Sequence, residues 1–355
     1  MRSLIIIVDM AQYYIHKVGH QEMGSVSKKG DTPSRGRYFF ISKSCLDFFP
    51  HISSIVMNDK IILSIIPMRN NEEDKKVYCT MDYHNQKFAD ITYTGDNPRN
   101  EIRLYMNNDI DPDRQYFFKG DLAVFERFEV NGEKIYSLTK ISPDHEKYES
   151  LLNLVESEDS RFHSNIIFEG DFDYIRKPNI EEITEVVLTK EAKEVIKKET
   201  ESISAQVDKE EESTTDFEEE MGSSFFNSDM FRDLVMNAYH YKCAITGKAI
   251  RYKDLLNLET AHIKAKAHQG TYLPCNGIAM SRDMHFAFDK GFFTITDDYK
   301  VMVSENLKGD WFYEEYNGKS IFVPSEDFFK PKKEYLAHHR KEVFNTFKQI
   351  RQLPK

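Results

Sequence analysis

AHIKAKAHQGTYLPCNGIAMSRDMHFAFDKG, residues 261–291, holds three histidines, an Asn-Gly pair, and a histidine and an aspartate four residues apart. LNLETAHI before it (256–263) reads as a strand that ends at His262. Side chains alternate faces along a strand, so His262 points away from Glu259 and Ala261. A polar loop follows through Gly270 and Pro274. Asn276-Gly277 then turns the chain into the apolar run IAM. Ser281 is placed to cap a helix over SRDMHFAFDK that stops at Gly291. In that helix His285 and Asp289 share a face. Two short strands and a helix thus bring a strand-end histidine toward a histidine and a carboxylate on the helix.

The flanks have complementary patterns. SDMFRDLVMNAYHY has helical spacing, with Ser228 or Asp229 as cap and Phe231, Leu234, Val235, Ala238 and Tyr239 on one face. FFTITDDYKVMVS reads as a β-hairpin. From Lys330 to Lys355 there are eight Lys or Arg against two Glu, and YLAHHRKEVFNTFKQIRQL has helical spacing. His240, His268, His338 and His339 read as surface residues, and Cys243 as a small buried one.

The net charge of −11 opposes a polyanionic partner only until it is mapped. Residues 181–224 hold 15 Asp or Glu against 5 Lys, which leaves the other 311 residues near −1. Within that acidic segment, 180–206 reads as a solvated helix. DKEEESTTDFEEEMGSS (208–224) is too polar to bury a core and reads as a flexible linker. The four cysteines (Cys45, Cys79, Cys243, Cys275) form no CxxC pair and read as reduced thiols. MRSLIIIVDM is too short for a signal-peptide core and reads as a buried strand, so a cytoplasmic protein is expected.

Before the linker the chain reads as β. RYFFISK, KIILSIIP, KVYCTMDYH, NEIRLYMN and DLAVFERFEV are short runs of β-branched and aromatic residues set off by Gly, Asn, Asp and Pro. Asn131-Gly132 between two such runs signals a hairpin. Strands at this spacing point to a sandwich or barrel. SPDHEKYESLLNLVESE then reads as a helix with Ser142 or Asp144 near its start.

In order, His262, Asn276 and His285 resemble the three name-giving residues of the HNH endonucleases, whose site is a strand–strand–helix metal finger. FRDLVMNAYHYKCAITG, LETAHIKAKA, PCNGIAM, HFAFDKGFFTI and YLAHHRKEVF extend the similarity over roughly residues 229–345, to the branch found at the C-terminus of restriction endonucleases. The resemblance implies a prokaryotic enzyme that hydrolyses DNA phosphodiesters. His262 would be the general base and Asn276 would hold its turn. His285 and Asp289 would bind one divalent cation per site, preferably Mg2+, with Glu259 as a third candidate. Arg282 would contact the scissile phosphate. Many relatives carry a ligand just before the base, where this chain has Ala261.

FFPHISSIVMNDKIILSI, EIRLYMNNDI, GDLAVFERF and IYSLTKI resemble, over roughly residues 36–142, the B3-type pseudobarrel of some restriction-enzyme effector domains and plant transcription factors. Such domains grip the major groove with two arms. Lys28, Lys29, Arg35 and Arg37 are candidates for one, and Arg99 and Arg103 for the other. The expectation is an α+β chain: a B3-like pseudobarrel (1–175), a charged helix and acidic linker (176–227), and a ββα-metal nuclease domain (228–355). Its implied partners are double-stranded DNA, a second copy on that DNA, and a cognate methyltransferase in the same system. A modification-dependent HNH nuclease and a DNA-binding protein with an inactive finger are the alternatives.

Overall fold

The computed structural model describes residues 11–24, 36–53, 56–70, 72–86, 99–130, 133–157, 164–210, 226–252, 255–268 and 270–347. The chain divides into two compact units, residues 1–195 and 196–355.

The first unit is one nine-stranded sheet. Its strands are β1 (Ala11–Lys17), β2 (Tyr38–Ile41), β3 (Lys60–Met68), β4 (Lys75–His84), β5 (Glu101–Tyr105), β6 (Leu122–Val130), β7 (Glu133–Ile141), β8 (Asn165–Gly170) and β9 (Glu185–Leu188). The spatial order is β2-β5-β4-β3-β7-β6-β1-β8, and β9 lies parallel to β4. The expected strands fall on β2 to β6. Val130 pairs with Glu133 across the β6–β7 hairpin, and the expected Asn131-Gly132 turn falls between them. Those two residues, like MRSLIIIVDM, lie outside the described residues.

The sheet curls. β2 and β6 stand five places apart, about 24 Å in a flat sheet, yet the rings of Phe39 on β2 and Phe125 on β6 lie 5.6 Å apart, edge to face. Side chains bridge the remaining gap. The Tyr14 hydroxyl donates to the Phe40 carbonyl at 3.3 Å. A Glu22 carboxylate oxygen receives the Phe40 N–H at 2.5 Å and meets the buried His16 ring at 2.8 Å. The inner face packs Tyr14, Phe39, Leu63, Met81, Leu104 and Phe125. The outer face of β1 and β6 is covered by α1 (Tyr148–Ser157), where Tyr13, Ile15 and Val124 meet Leu151 and Val155. Burial on both faces explains unbroken apolar runs such as YYI.

Two expectations shift. α1 starts at Tyr148, and Ser142 and Asp144 lie in the turns before it. The helix expected over 180–206 becomes a short turn, then β9, then α2 (Lys190–Glu210). EVVL is β-branched, and β4 offers it a parallel ladder.

The second unit contains α3 (Ser228–Ala238), two short strands β10 (Arg251–Tyr252) and β11 (Leu255–Leu256), then β12 (Leu258–His262), β13 (Gly277–Ser281) and α4 (Arg282–Asp289). β14 (Phe293–Ile295) and β15 (Val301–Val303) form the expected hairpin, followed by α5 (Trp311–Tyr316) and α6 (Lys333–Glu342). The cap of α3 is Asn227, whose side chain accepts from the Met230 N–H at 2.8 Å; Ser228 and Asp229 already lie inside the helix. Phe231, Leu234, Val235, Ile278, Met280 and Phe288 are buried here. No helix of the described residues is long and apolar enough to cross a membrane.

Candidate active site

β12 and β13 pair antiparallel with His262 directly opposite Gly277. α3 covers that face. The Phe231 ring lies 4.4 Å from the His262 ring, and Tyr272 flanks it at 5.6 Å. Gly277 has φ −118°, so it is not needed for an unusual backbone angle. It is needed for room: a Cβ there would stand 2.5 Å from a Val235 methyl and 2.8 Å from the Phe231 ring. The Asn-Gly pair, read as a turn signal, thus works through close packing beneath His262.

His262 Nε2 is buried and has no hydrogen-bond partner among the described residues. Burial, reinforced by Lys266 and His285, holds the imidazole pKa down at about 4. At neutral pH this ring is uncharged, the state in which it accepts a proton.

Asn276 is fully buried and ties the loop after His262 to the strand that returns. Its Oδ1 accepts from the Lys264 N–H at 2.9 Å, and its Nδ2 donates to the carbonyls of Lys264 (3.0 Å) and Thr271 (2.9 Å). Its own carbonyl accepts from the Ile263 N–H at 2.9 Å. Four hydrogen bonds therefore close the loop, three of them within two residues of His262.

α4 supplies His285, close enough to His262 to contribute to its lowered pKa. His285 Nδ1 lies 2.8 Å from Glu259 Oε2, and its Nε2 lies 3.4 Å from Asp289 Oδ2. The second oxygen of Glu259 meets Arg282 Nε at 3.2 Å. Partial burial pushes the Asp289 carboxyl up from its ordinary value, while His285 and Lys290 pull it back. Ser281 occupies the cap position of α4 without capping it; its hydroxyl lies 3.8 Å from the Cys243 sulfur. Gly291 ends the segment at φ +73°, where a Cβ would strike the Val343 carbonyl at 2.2 Å.

Among the described residues, no three His, Cys, Asp or Glu side chains converge on one metal position. The reason lies in the imidazole. Glu259 stands at one ring nitrogen of His285 and Asp289 at the other, so all three cannot share an ion. Glu259 is thereby corrected from third ligand to the group that orients the His285 ring. His285 Nε2 and Asp289 remain a two-donor set. Two donors on one cation at about 2.1 Å lie about 3 Å apart, and 3.4 Å is close to that. One nitrogen and one carboxylate suit a hard divalent cation that keeps most of its waters. Ala261 is fully buried on the Glu259 face and supplies nothing.

The other expected residues divide. Arg282 is 71% exposed and free to reach a phosphate with the groups Glu259 does not engage. Arg37 is corrected: its guanidinium is 9% exposed, paired with Asp111 at 2.5 Å and donating to the Phe117 carbonyl, so it serves the fold. Arg103 is held by Glu101 and lies over the Tyr38 ring at 4.1 Å, which leaves it 14% exposed. Arg99 is half-exposed. Lys28, Lys29 and Arg35 lie outside the described residues.

His339, expected at the surface, is buried. It stacks on Phe288 with 3.6 Å between ring centres and binds Thr294 Oγ1 at 2.9 Å through Nδ1. Its Nε2 donates to the Phe288 carbonyl at 3.2 Å, and burial lowers its pKa to about 3. This clamps α6 to the end of α4. Its partner is 51 residues distant, so local sequence gives no sign of the contact. All four cysteines are buried and none forms a disulfide among the described residues; burial was the expectation for Cys243.

Residues 243–296 match the family described as HNH endonuclease. The second unit is therefore similar, over those residues, to an HNH endonuclease region. No curated protein matches the chain. A solved structure described as a modification-dependent TagI restriction endonuclease is similar over 34% of this chain and 39% of its own length, at 21% identity and a TM-score of 0.28. The match spans about two fifths of that structure, too slight a likeness to define a shared fold.

Proposed function

We propose that the chain is a restriction-type DNA endonuclease. The observation that carries this is the joint placement of His262, Asn276 and the His285–Asp289 pair on one β12–β13–α4 unit. His262 takes a proton from a water that attacks the scissile phosphorus, and the bond to the 3′ oxygen breaks. The low dielectric around Phe231 and Tyr272 keeps the imidazole neutral until that moment. Asn276 fixes the loop that follows the base. Arg282, leaning on Glu259, offers its free N–H groups to a non-bridging phosphate oxygen. His285 and Asp289 would hold a divalent cation, Mg2+ by the hardness of the set, which when bound stabilises charge on the phosphate and the departing oxygen.

In this proposal the curled sheet of the first unit is a B3-like reader of DNA sequence. Its curled form and packed inner core support that reading. Arg99, with Lys28, Lys29 and Arg35, is proposed to contact DNA; Arg37 and Arg103 are not. One HNH site cuts one strand, so two copies act on each duplex, and a methyltransferase of matching specificity protects the host.

The test is cleavage of a random DNA library in Mg2+ or Mn2+, with and without cytosine methylation, followed by sequencing of the ends. The proposal expects ends clustered at one short sequence in unmethylated DNA. Ends only in methylated DNA would replace it with the modification-dependent reading. No cleavage of any substrate would refute nuclease function.

A further inference from the structure

The second unit carries lysine cations, and histidine ring nitrogens beside them, that the cleavage chemistry leaves unused. Lys264, Lys266 and His268 lie on the loop after His262, and His338 and Lys341 lie on α6. Loop and helix meet directly: His268 Nδ1 and His338 Nε2 are 3.2 Å apart, and the hydroxyls of Thr271 and Tyr335 are 3.3 Å apart. The Lys332 N–H donates to the Cys275 carbonyl at 3.0 Å. Asn276 holds both backbone groups of Lys264. The cations are therefore fixed in register with the base.

They are also poorly neutralised. Among the described residues neither Lys264 nor Lys266 forms an ion pair, and Lys341 meets only its neighbour Glu342, at 3.4 Å. Lys266 instead rests over the Tyr272 ring at 4.2 Å, and that ring borders His262. Burial, and after it the charges of Lys264 and His268, lowers the pKa of His338. An ordered surface with unpaired like charges repels itself, and a docked anion relieves the repulsion. The cations are spread over a loop and a helix and do not converge on one enclosed point. That layout suits an extended polyanion better than a small ion.

We propose that Lys264, Lys266, His268, His338 and Lys341 form a docking ridge for DNA backbone phosphates that flank the scissile bond. The proposal rests on the nuclease reading for its choice of polyanion. The ridge supplies position and affinity, without base recognition.

The experiment compares the full-length protein with its Lys264→Gln, Lys266→Gln, Lys341→Gln triple variant. Binding of a fluorescent duplex is followed by anisotropy across a potassium chloride series, without divalent metal. Each phosphate contact contributes about 0.9 to the slope of log Kd against log salt. The triple variant should lose about 2 to 3 from that slope and bind roughly 10- to 100-fold more weakly at moderate salt. Lysine-to-arginine replacement at the three positions should restore the slope. Hydrolysis of bis(p-nitrophenyl) phosphate, too small to reach the ridge, should be unchanged in the Lys341→Gln single variant. A slope within about 0.5 of wild type, in a triple variant with native circular dichroism, would overturn the ridge. An arginine variant that folds but does not regain the slope would overturn it too. Failure of the nuclease reading would show separately, as absence of DNA cleavage by the wild-type protein.

Discussion

In the proposed chemistry His262 serves as the base because of what surrounds it. A free imidazole titrates near 6.5; Phe231, Tyr272 and the strand end exclude water from this one, and its pKa sits at about 4. The sign follows directly. A lowered value keeps the neutral, proton-accepting form dominant as pH falls, so kcat/KM should hold down to about pH 5 and decline around 4. An acid limb near 6.5 would contradict this. Glu259 makes a separate prediction. Its carboxylate aligns the His285 ring at 2.8 Å, so Glu259→Gln should weaken Mn2+ binding about 10- to 100-fold by calorimetry. Unchanged affinity would remove Glu259 from the site. His339 acts on stability. Its folded pKa, about 3, is below the ordinary value, so the unfolded chain binds the extra proton. Its contribution is complete above about pH 6.5 and is lost as pH falls toward 3, at about 1.4 kcal/mol per pH unit. Urea unfolding at several pH values should show that slope in the wild type and its loss in His339→Gln.

At the scale of elements, the site is one hairpin pressed between two helices. Gly277→Ala forces a methyl group into Val235 and Phe231. It should cost about 1–3 kcal/mol, and because Phe231 packs against the His262 ring it should lower kcat more than metal affinity. Urea midpoints and Mn2+ titration separate the two effects. This level was the most legible in sequence. The alternation in LETAH, the i,i+4 spacing of His285 and Asp289, and Gly291 as helix stop are all local signals, and all correspond to observed elements. Two reasons had to change. Gly277 is small for packing rather than for a turn, and α3 is capped by Asn227 instead of the expected Ser228 or Asp229. Both depend on what lies across the fold, which a local pattern cannot carry. The same limit hid the roles of Glu259 and His339, whose partners are 26 and 51 residues away. It hid as well the pairing of Arg37 with Asp111, which turned a plausible DNA contact into a buried strut.

For the whole molecule, strand content was readable but closure was not. That β2 approaches β6 is decided by Phe39, Phe125 and the Glu22 bridge, contacts between distant segments that no period in the sequence reports. Charge acts at this scale too: an acidic stretch carries nearly all the net −11, so the rest of the chain can meet a polyanion without global repulsion. If two copies are needed to cut two strands, nicked plasmid should accumulate at low protein concentration and linear product should rise with concentration. A fixed nicked-to-linear ratio would contradict pairing. The central claim is narrower: His262 is the base, and His285 with Asp289 holds the metal. It is tested most directly by measuring DNA cleavage and Mn2+ binding together in wild type, His262→Ala and His285→Ala. His262→Ala should keep Mn2+ affinity and lose about 10²- to 10⁴-fold in rate, while His285→Ala should lose both. Wild-type cleavage by folded His262→Ala would contradict the account.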